Sequence, residues 1–284
     1  MRNTRGVRLG DPAPAARTDL TNEKNHAVFG FPDFGQRVFG AHQKAFDQAI
    51  LVSNLANEMF VQTDKMPLKR ERFVIYLLVR MAVTGWTELL ILVGNGAGLG
   101  AMKISRGMFE AAVMAEYLRR TPEEIDDYLD FFNVLSWKRL QIYPDSFKPR
   151  QKKKIQTEYD RVKARFENRK GRVRDQWNKH SIRQMASVLG RKDQYDLPYS
   201  IAASMHHSNF EAMVSHVGRK NKRLYVDQPP SMNWVPQAFI SGHVYLLQAL
   251  ETLNDCFHLG FDSRLKAEND AFLEAWGKKT NQSQ

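Results

Sequence analysis

"GNGAGLGAMKISRGMFE", residues 94–110, carries four glycines in its first seven positions and then runs into a stretch of helical character. A phosphate-binding loop here would imply an α/β sheet, whereas a tight turn between helices would imply an all-helical chain. A Walker loop needs G-x-x-x-x-G-K-[ST], but Lys103 stands three residues past Gly100 and Ile104 follows it. A dinucleotide fingerprint needs G-x-G-x-x-G after a strand, and Leu99 occupies the place of its third glycine. The preceding "FVIYLLVRMAVTGWTELLILVG", residues 73–94, is also far longer than a strand. The glycines therefore read as a helix end, a small-residue turn and close packing of the next helix.

Residues 73–94 are long enough to span a bilayer, which takes about 20 apolar residues. Arg80 and Glu88 lie inside the stretch, however, and each is costly at a bilayer centre. Tyr76, Arg80, Thr84 and Glu88 recur every fourth residue, drawing one polar stripe down an apolar cylinder. The expectation is the central helix of a soluble bundle, with no membrane partner.

Working outward, helical periodicity recurs almost everywhere and no two-residue alternation stands out. A first helix is expected from Gln36 to Gln62, with Phe39, Phe46, Ala49, Ala56 and Phe60 inward, and a second from Pro67 to Leu92. A third, Ala101 to Arg119, buries Ile104, Met108, Ala111, Ala115 and Leu118. "TPEE" at 121–124 is a start signal, with Thr121 as N-cap, Pro122 at N1 and Glu124 at N3. The helix it opens turns Ile125, Tyr128, Leu129, Phe132 and Leu135 inward. After Pro149 a basic helix has only the narrow seam Ile155, Tyr159, Val162 and Phe166. A short helix then ends at Gly190, another spans Gln194 to Val217, Asn233 opens a long one through His243 and Phe257, and a last runs from Ser263 to Trp276. The fold class is all-α: a single bundle of eight to nine helices over residues 36–277, with the basic helix projecting from it. Residues 1–35 read as a disordered Pro/Ala-rich lead-in without a signal peptide, and 278–284 as a frayed tail. The lone Cys256 allows no intrachain disulfide, which suits a cytoplasmic protein.

The chain carries a net charge of +11, and it is concentrated. Lys148 to Arg183 holds fourteen Lys/Arg against four Asp/Glu, a net of +10. Such a block is the electrostatic footprint of an acidic partner, RNA or DNA first, with Lys152, Lys153, Lys154, Arg161, Arg165, Arg169, Arg172 and Arg174 as its contacts. Tyr159, Phe166 and Trp177 are interleaved among them, and "GRKNKR" at 218–223 extends the patch if the fold brings it near. A solvated basic face without a specific partner is the competing reading.

One polar constellation remains. Arg106 and Glu110 are i, i+4 on the third helix, with Tyr117 further along the same side. Beside the Arg80–Glu88 stripe they make an interior network of charges, since neither member of a buried pair is left alone without large cost. The network either fixes helix register or forms a site.

"AMKISRGMFEAAVMAEYL", preceded by the long apolar helix and followed by "YLDFF", resembles a widespread bacterial family catalogued as domain of unknown function 5677. The resemblance covers roughly residues 40–260 and implies an all-helical protein with an Arg-x-x-x-Glu helix, met here by Arg106 and Glu110. It also implies a later tyrosine-bearing segment with a Ser/His element, which "YDLPYSIAASMHHSN" resembles through Tyr195, Tyr199, Ser204 and His207. Tyr199 thereby joins Arg80, Glu88 and Tyr117 in the polar core network. The family brings no assigned reaction, and its setting points to bacterial defence or stress systems.

His207 and Glu211 are i, i+4, while His206 points about 100° away. No third and fourth ligand at helical spacing accompanies them, so neither a metal nor a cofactor is expected. A trio of Arg106, Glu110 and His207 would suit metal-independent phosphodiester or RNA cleavage, against the plainer reading of His207 as a bundle histidine. Arg-x(4–6)-His occurs at Arg37…His42 and Arg174…His180, about as often as chance gives. Function thus divides into binding of an acidic partner through the basic helix, a phosphodiesterase or ribonuclease at the trio, and a protein-interaction scaffold.

Overall fold

The structure, a computed structural model, describes residues 30–168, 171–207, 210–220, 223–226 and 230–277. It is all-α apart from one small hairpin. The helices are α1 (Pro32–Thr63), α2 (Arg70–Gly94), α3 (Gly98–Arg120), α4 (Ile125–Ile142), α5 (Pro149–Phe166), α6 (Ile182–Val188), α7 (Lys192–Gln194), α8 (Ser200–His206), α9 (Phe210–Ser215), α10 (Val235–Phe257) and α11 (Asp262–Gly277). Short 3-10 turns, Pro122–Glu124 and Pro144–Ser146, bracket α4.

The centre is a layer of α2, α3 and α10, to which α1 and α11 add a second side. Trp86, Phe109, Phe239, Leu89 and Leu250 are almost wholly withdrawn from water. Each contributes about 1.5–3 kcal/mol by burial. The Trp86 indole also donates to Ser53 Oγ at 3.0 Å, tying α2 to α1. On α2, which is long and apolar enough to cross a membrane by length and composition, Val74, Ile75, Leu78, Val79, Ala82 and Leu89 face this core. Phe73, Leu77, Met81 and Ile91 stay exposed on its outer side.

The glycine run is the junction of three helices. Gly96 adopts φ +68, and a Cβ there would fall 2.4 Å from the Phe34 ring of α1. A Cβ on Gly98 would fall 2.2 Å from the carbonyl oxygen of Asn233 and 2.6 Å from Val235 N, at the start of α10. Ser231 N donates to Gly96 O at 2.9 Å, closing the junction. These glycines serve backbone approach, as the sequence implies.

Several local expectations are corrected. α1 begins at Pro32, inside the anticipated lead-in, and is kinked at His42 (φ −130, ψ 27); Phe39, expected inward, is exposed. Residues 1–29, Arg169 and the tail 278–284 lie outside the described residues. Thr121 does not cap a helix: its hydroxyl donates back to Tyr117 O at 2.9 Å, and Pro122–Glu124 forms a 3-10 turn before α4. On α4 the buried positions are Ile125, Phe131, Val134 and Leu140, whereas Phe132 is 61% exposed. Trp234, at φ +64, precedes α10, so Asn233 does not open it. The helix anticipated over Gln194–Val217 is instead broken. α7 and α8 are joined through a π-turn, Tyr195–Tyr199, containing Pro198, and α9 is followed by strands β1 (Val217–Lys220) and β2 (Arg223–Val226). The strands pair antiparallel, Val217 opposite Val226 and Lys220 opposite Arg223.

The basic helix α5 folds back on α4 as a hairpin that stands off the central layer. Val162 and Phe166 are fully buried, with Phe166 edge-on to Phe131 at 5.3 Å. Trp137 stacks on Tyr159 at 4.9 Å. Ionic clamps complete the pairing: Arg161 reaches Asp130 at 2.9 Å, and Arg165 reaches Asp127 at 2.8 Å and Asp130 as well. Asp130, half-encircled by these two guanidiniums, titrates below the ordinary carboxylate range, chiefly through its hydrogen bond from Arg161.

Candidate ligand cavity

Between the α4–α5 hairpin and the central layer lies a cavity of about 930 Å³. One wall is α3, presenting Arg106, Glu110 and Met114; the opposite wall is α4, with Tyr128 and Phe132; the floor comes from Trp177, His180, Met185, Tyr195 and Tyr199. Local sequence places each wall. Ser181 starts α6 with a reciprocal cap, accepting from Gln184 N at 3.3 Å while Gln184 Oε1 accepts from Ser181 N at 2.8 Å. Gly190, at φ +74, ends that helix and turns the chain toward the π-turn. Pro198 has no N–H for an α-helical bond, and the wider π-turn around it sets Tyr195 and Tyr199 face to face at 4.6 Å.

Arg106 is the hub. Its Nε donates to Glu110 Oε1 at 2.9 Å, and its Nη1 lies 2.9 Å from His207 Nε2. Tyr199 donates its hydroxyl to the same Glu110 oxygen at 2.7 Å, and the Arg106 guanidinium lies 5.7 Å from the Tyr199 ring centroid. Partial burial works against the Arg106 charge, but Glu110 and Tyr199 outweigh it and raise the guanidinium's pKa further. Burial first, and then the Glu110 carboxylate, push the Tyr199 hydroxyl well above the usual phenol range, so it stays a donor. A guanidinium only donates, so a hydrogen bond between the two uses the lone pair of His207 Nε2.

The structure thus brings Arg106, Glu110, Tyr199 and His207 together. Arg106 and Glu110 line the cavity, while His207 holds Arg106 from outside it. The side chain of Glu211 is outside the described residues. The wider polar core network is not one unit. Arg80 faces the α1 end, donating to the Tyr76 hydroxyl at 3.0 Å and to Asp64 at 3.5 Å and lying over the Phe60 ring. Glu88 is exposed. Tyr117 does not line the cavity: it packs beside Trp177 and His180 and donates to Glu124 Oε1 at 3.1 Å, while Asn178 bonds the other oxygen of that carboxylate. The helical wheel places Arg80 and Glu88 along one stripe but not on the side of α2 that meets α3.

The basic residues divide as well. Arg161 and Arg165 are engaged with α4, and Arg174 donates to Arg165 O at 2.9 Å and lies over Phe166. Lys152, Lys153, Lys154 and Arg172 have no carboxylate partner among the described residues. Of the lining, the sequence singles out Arg106, Glu110, Tyr195 and Tyr199 but not the rest: His180 stands out only through a spacing that chance explains, and Trp177 only as a ring among cations. Neither signal places them opposite Arg106. Among the described residues no group of three or more His, Cys, Asp or Glu is placed to hold a metal.

No curated protein and no solved structure matches the chain. The model of the family of unknown function DUF5677 matches residues 71–224, just over half of the chain. That span runs from the start of α2 into β2 and contains the Arg106 hub and every wall of the cavity, whereas α1, α10 and α11 lie outside it. The chain belongs to the family of unknown function DUF5677.

Proposed function

We propose that the cavity binds a small organic anion with an aromatic or apolar body, such as an aryl phosphate, an aryl carboxylate or a nucleoside monophosphate, with Arg106 taking the anionic group. The observation carrying this reading is that one charged guanidinium, braced by Glu110 and His207, stands on the wall of a cavity otherwise lined mainly by aromatic and aliphatic side chains. Its volume, about 930 Å³, falls in the range of small-molecule sites. Bracing matters because a preorganised Arg loses little side-chain freedom when a carboxylate or phosphate arrives. The test is melting-temperature shifts with phenyl phosphate, inorganic phosphate and phenol. Phenyl phosphate stabilises most, since only it offers both head and ring; equal shifts from phenol would remove the anionic requirement.

Metal-independent phosphodiester cleavage is a second reading, favoured by His180 in the cavity wall. In this reading the acid–base role falls to His180, and His207 is a positioning residue for Arg106. Hydrolysis of bis(4-nitrophenyl) phosphate tests it: His180→Ala abolishes turnover, while His207→Ala lowers it through weaker substrate binding. Absence of turnover in the wild type removes the reading.

Nucleic-acid binding takes a narrower form than the sequence implied. Arg161 and Arg165 are spent on α4, so the phosphate contacts are Lys152, Lys153, Lys154 and Arg172. The observation in favour is that none of the four has a carboxylate partner among the described residues, beside a segment rich in positive charge.

A further inference from the structure

On the outer side of the hairpin, where the C-terminal end of α4 meets the N-terminal half of α5, runs a groove of about 460 Å³. Trp137, Leu140, Lys152, Lys153 and Gln156 line it, and no carboxylate does among the described residues. It is separate from the Arg106 cavity and shares no residue with it.

The charge pattern of α5 singles this end out. In its C-terminal half Arg161, Lys163 and Arg165 lie toward the end where the helix dipole favours cations, and each meets a carboxylate. Arg150, Lys152, Lys153 and Lys154 crowd the first turns, where the dipole disfavours positive charge. No carboxylate among the described residues pairs with these four cations, so their charge is left for an external anion.

The aromatic component is fixed in place. Trp137 is held by Tyr159, ring on ring at 4.9 Å and 13° from parallel, with Lys163 lying 5.9 Å from the Tyr159 ring centroid. Beneath, Leu140 is buried and gives the groove an apolar floor. An anchored indole flanked by two lysines is the chemistry that takes a base by stacking and its phosphates by charge. The groove has room for one base and not for a duplex, whose bases are already stacked on one another.

We propose that this groove seats one nucleotide unit of a single-stranded nucleic acid, the base against Trp137 and the flanking phosphates on Lys152 and Lys153. The assignment rests on the nucleic-acid reading above and sharpens it: Trp137 becomes the residue that separates strand recognition from plain attraction to a basic face.

The test is anisotropy of dye-labelled decauridylate titrated with the full chain at about 50 mM salt, and again at about 200 mM. Wild-type protein binds and weakens steeply with salt. Lys152→Glu with Lys153→Glu, the first half-buried and the second exposed, lowers affinity at least about tenfold and flattens the salt dependence. Trp137→Ala lowers affinity about five- to a hundredfold while leaving the salt dependence intact, and Trp137→Phe restores most of it. Melting curves accompany each variant; if Trp137→Ala loosens the hairpin, Trp137→Phe and the lysine pair decide. Uridine monophosphate binding as tightly as the decamer would identify a free nucleotide as the ligand and overturn the strand assignment. Unchanged affinity in Trp137→Ala with a loss in the lysine variant would overturn the groove and leave the phosphate reading standing. No binding at low salt would overturn both.

Discussion

Arg106 and His207, on α3 and at the end of α8, meet at 2.9 Å between Nη1 and Nε2 although they are 101 residues apart in the chain. Glu110 fixes the other edge of the same guanidinium, and Tyr199 fixes Glu110. The arginine that faces the cavity is therefore positioned by three side chains, of which Glu110 and Tyr199 also line the cavity and His207 does not.

Tyr199→Phe removes one of these supports. It costs about 1.5–3 kcal/mol of stability, the usual loss for a hydrogen bond to a charged acceptor. Its pH dependence has a definite sign. The folded hydroxyl titrates above the ordinary value of 10.0, so the contribution is complete below pH 10 and fades as pH rises beyond it. Tyr245, buried in the core, behaves alike. Phenolate absorbance during an alkaline titration therefore shows late-ionising tyrosines, one fewer in the variant; the same number in both proteins would contradict the assignment.

At the acid end the sensitive group is His243. Its ring is fully buried, lies parallel to Phe272 at 3.4 Å, and finds no hydrogen-bond partner for either nitrogen among the described residues. Burial alone lowers its pKa from 6.5 to about 3. The unfolded chain therefore takes a proton that the folded one refuses, and stability falls as pH drops below 6.5, by at most about 1.4 kcal/mol per unit from this group. His243→Leu flattens denaturation midpoints measured between neutral pH and pH 4, roughly the region where carboxylates begin to add their own effect.

The glycine run gives opposite outcomes within five residues. Gly98→Ala forces a methyl against the backbone of Asn233 and Val235, which cannot yield without moving α10. It costs about 3 kcal/mol or more. Gly94→Ala meets nothing within 4 Å and no positive φ, so it is neutral or stabilising by up to about 1 kcal/mol. Thermal melts of the two variants separate a packing junction from a ligand loop, in which both changes would impair function without ordering stability this way.

Asp130 links the hairpin to itself. Asp130→Asn weakens the hold of α4 on Arg161 and Arg165 and destabilises by about 1–3 kcal/mol. Because Arg161 holds the Asp130 pKa below its ordinary value of 3.8, this contribution is present above that pH and is lost as pH falls through the lower, folded value. Arg161→Gln likewise costs stability while leaving oligonucleotide affinity nearly unchanged; a matching loss of affinity would return Arg161 to the binding face.

What was legible follows from how local each signal is. α2, α3 and α10 announce themselves because their apolar positions recur over more than twenty residues, and His243 among them reads correctly as core. The β hairpin does not, because strands of four residues offer only two positions per face, and "GRKNKR" fills them with charge. The π-turn hides for a related reason: Pro198 signals a break, but only the packing of Tyr195 on Tyr199 selects the wider turn. Arg106 and Glu110 are visible as an i, i+4 pair, yet their partners come from residues far along the chain. Arg161 and Arg165 read as free because Asp127 and Asp130 meet them only when the hairpin closes. The cavity is the extreme case, for its walls come from four separate segments.

The measurement that bears most directly on the cavity is calorimetric titration of phenyl phosphate into the wild type and into Arg106→Gln, with melting temperatures recorded for both. A guanidinium that takes the anionic head predicts saturable one-site binding that weakens about tenfold or more in the variant while the fold persists. Equal affinity in the two proteins, or no binding to the wild type, would contradict a ligand site built on Arg106.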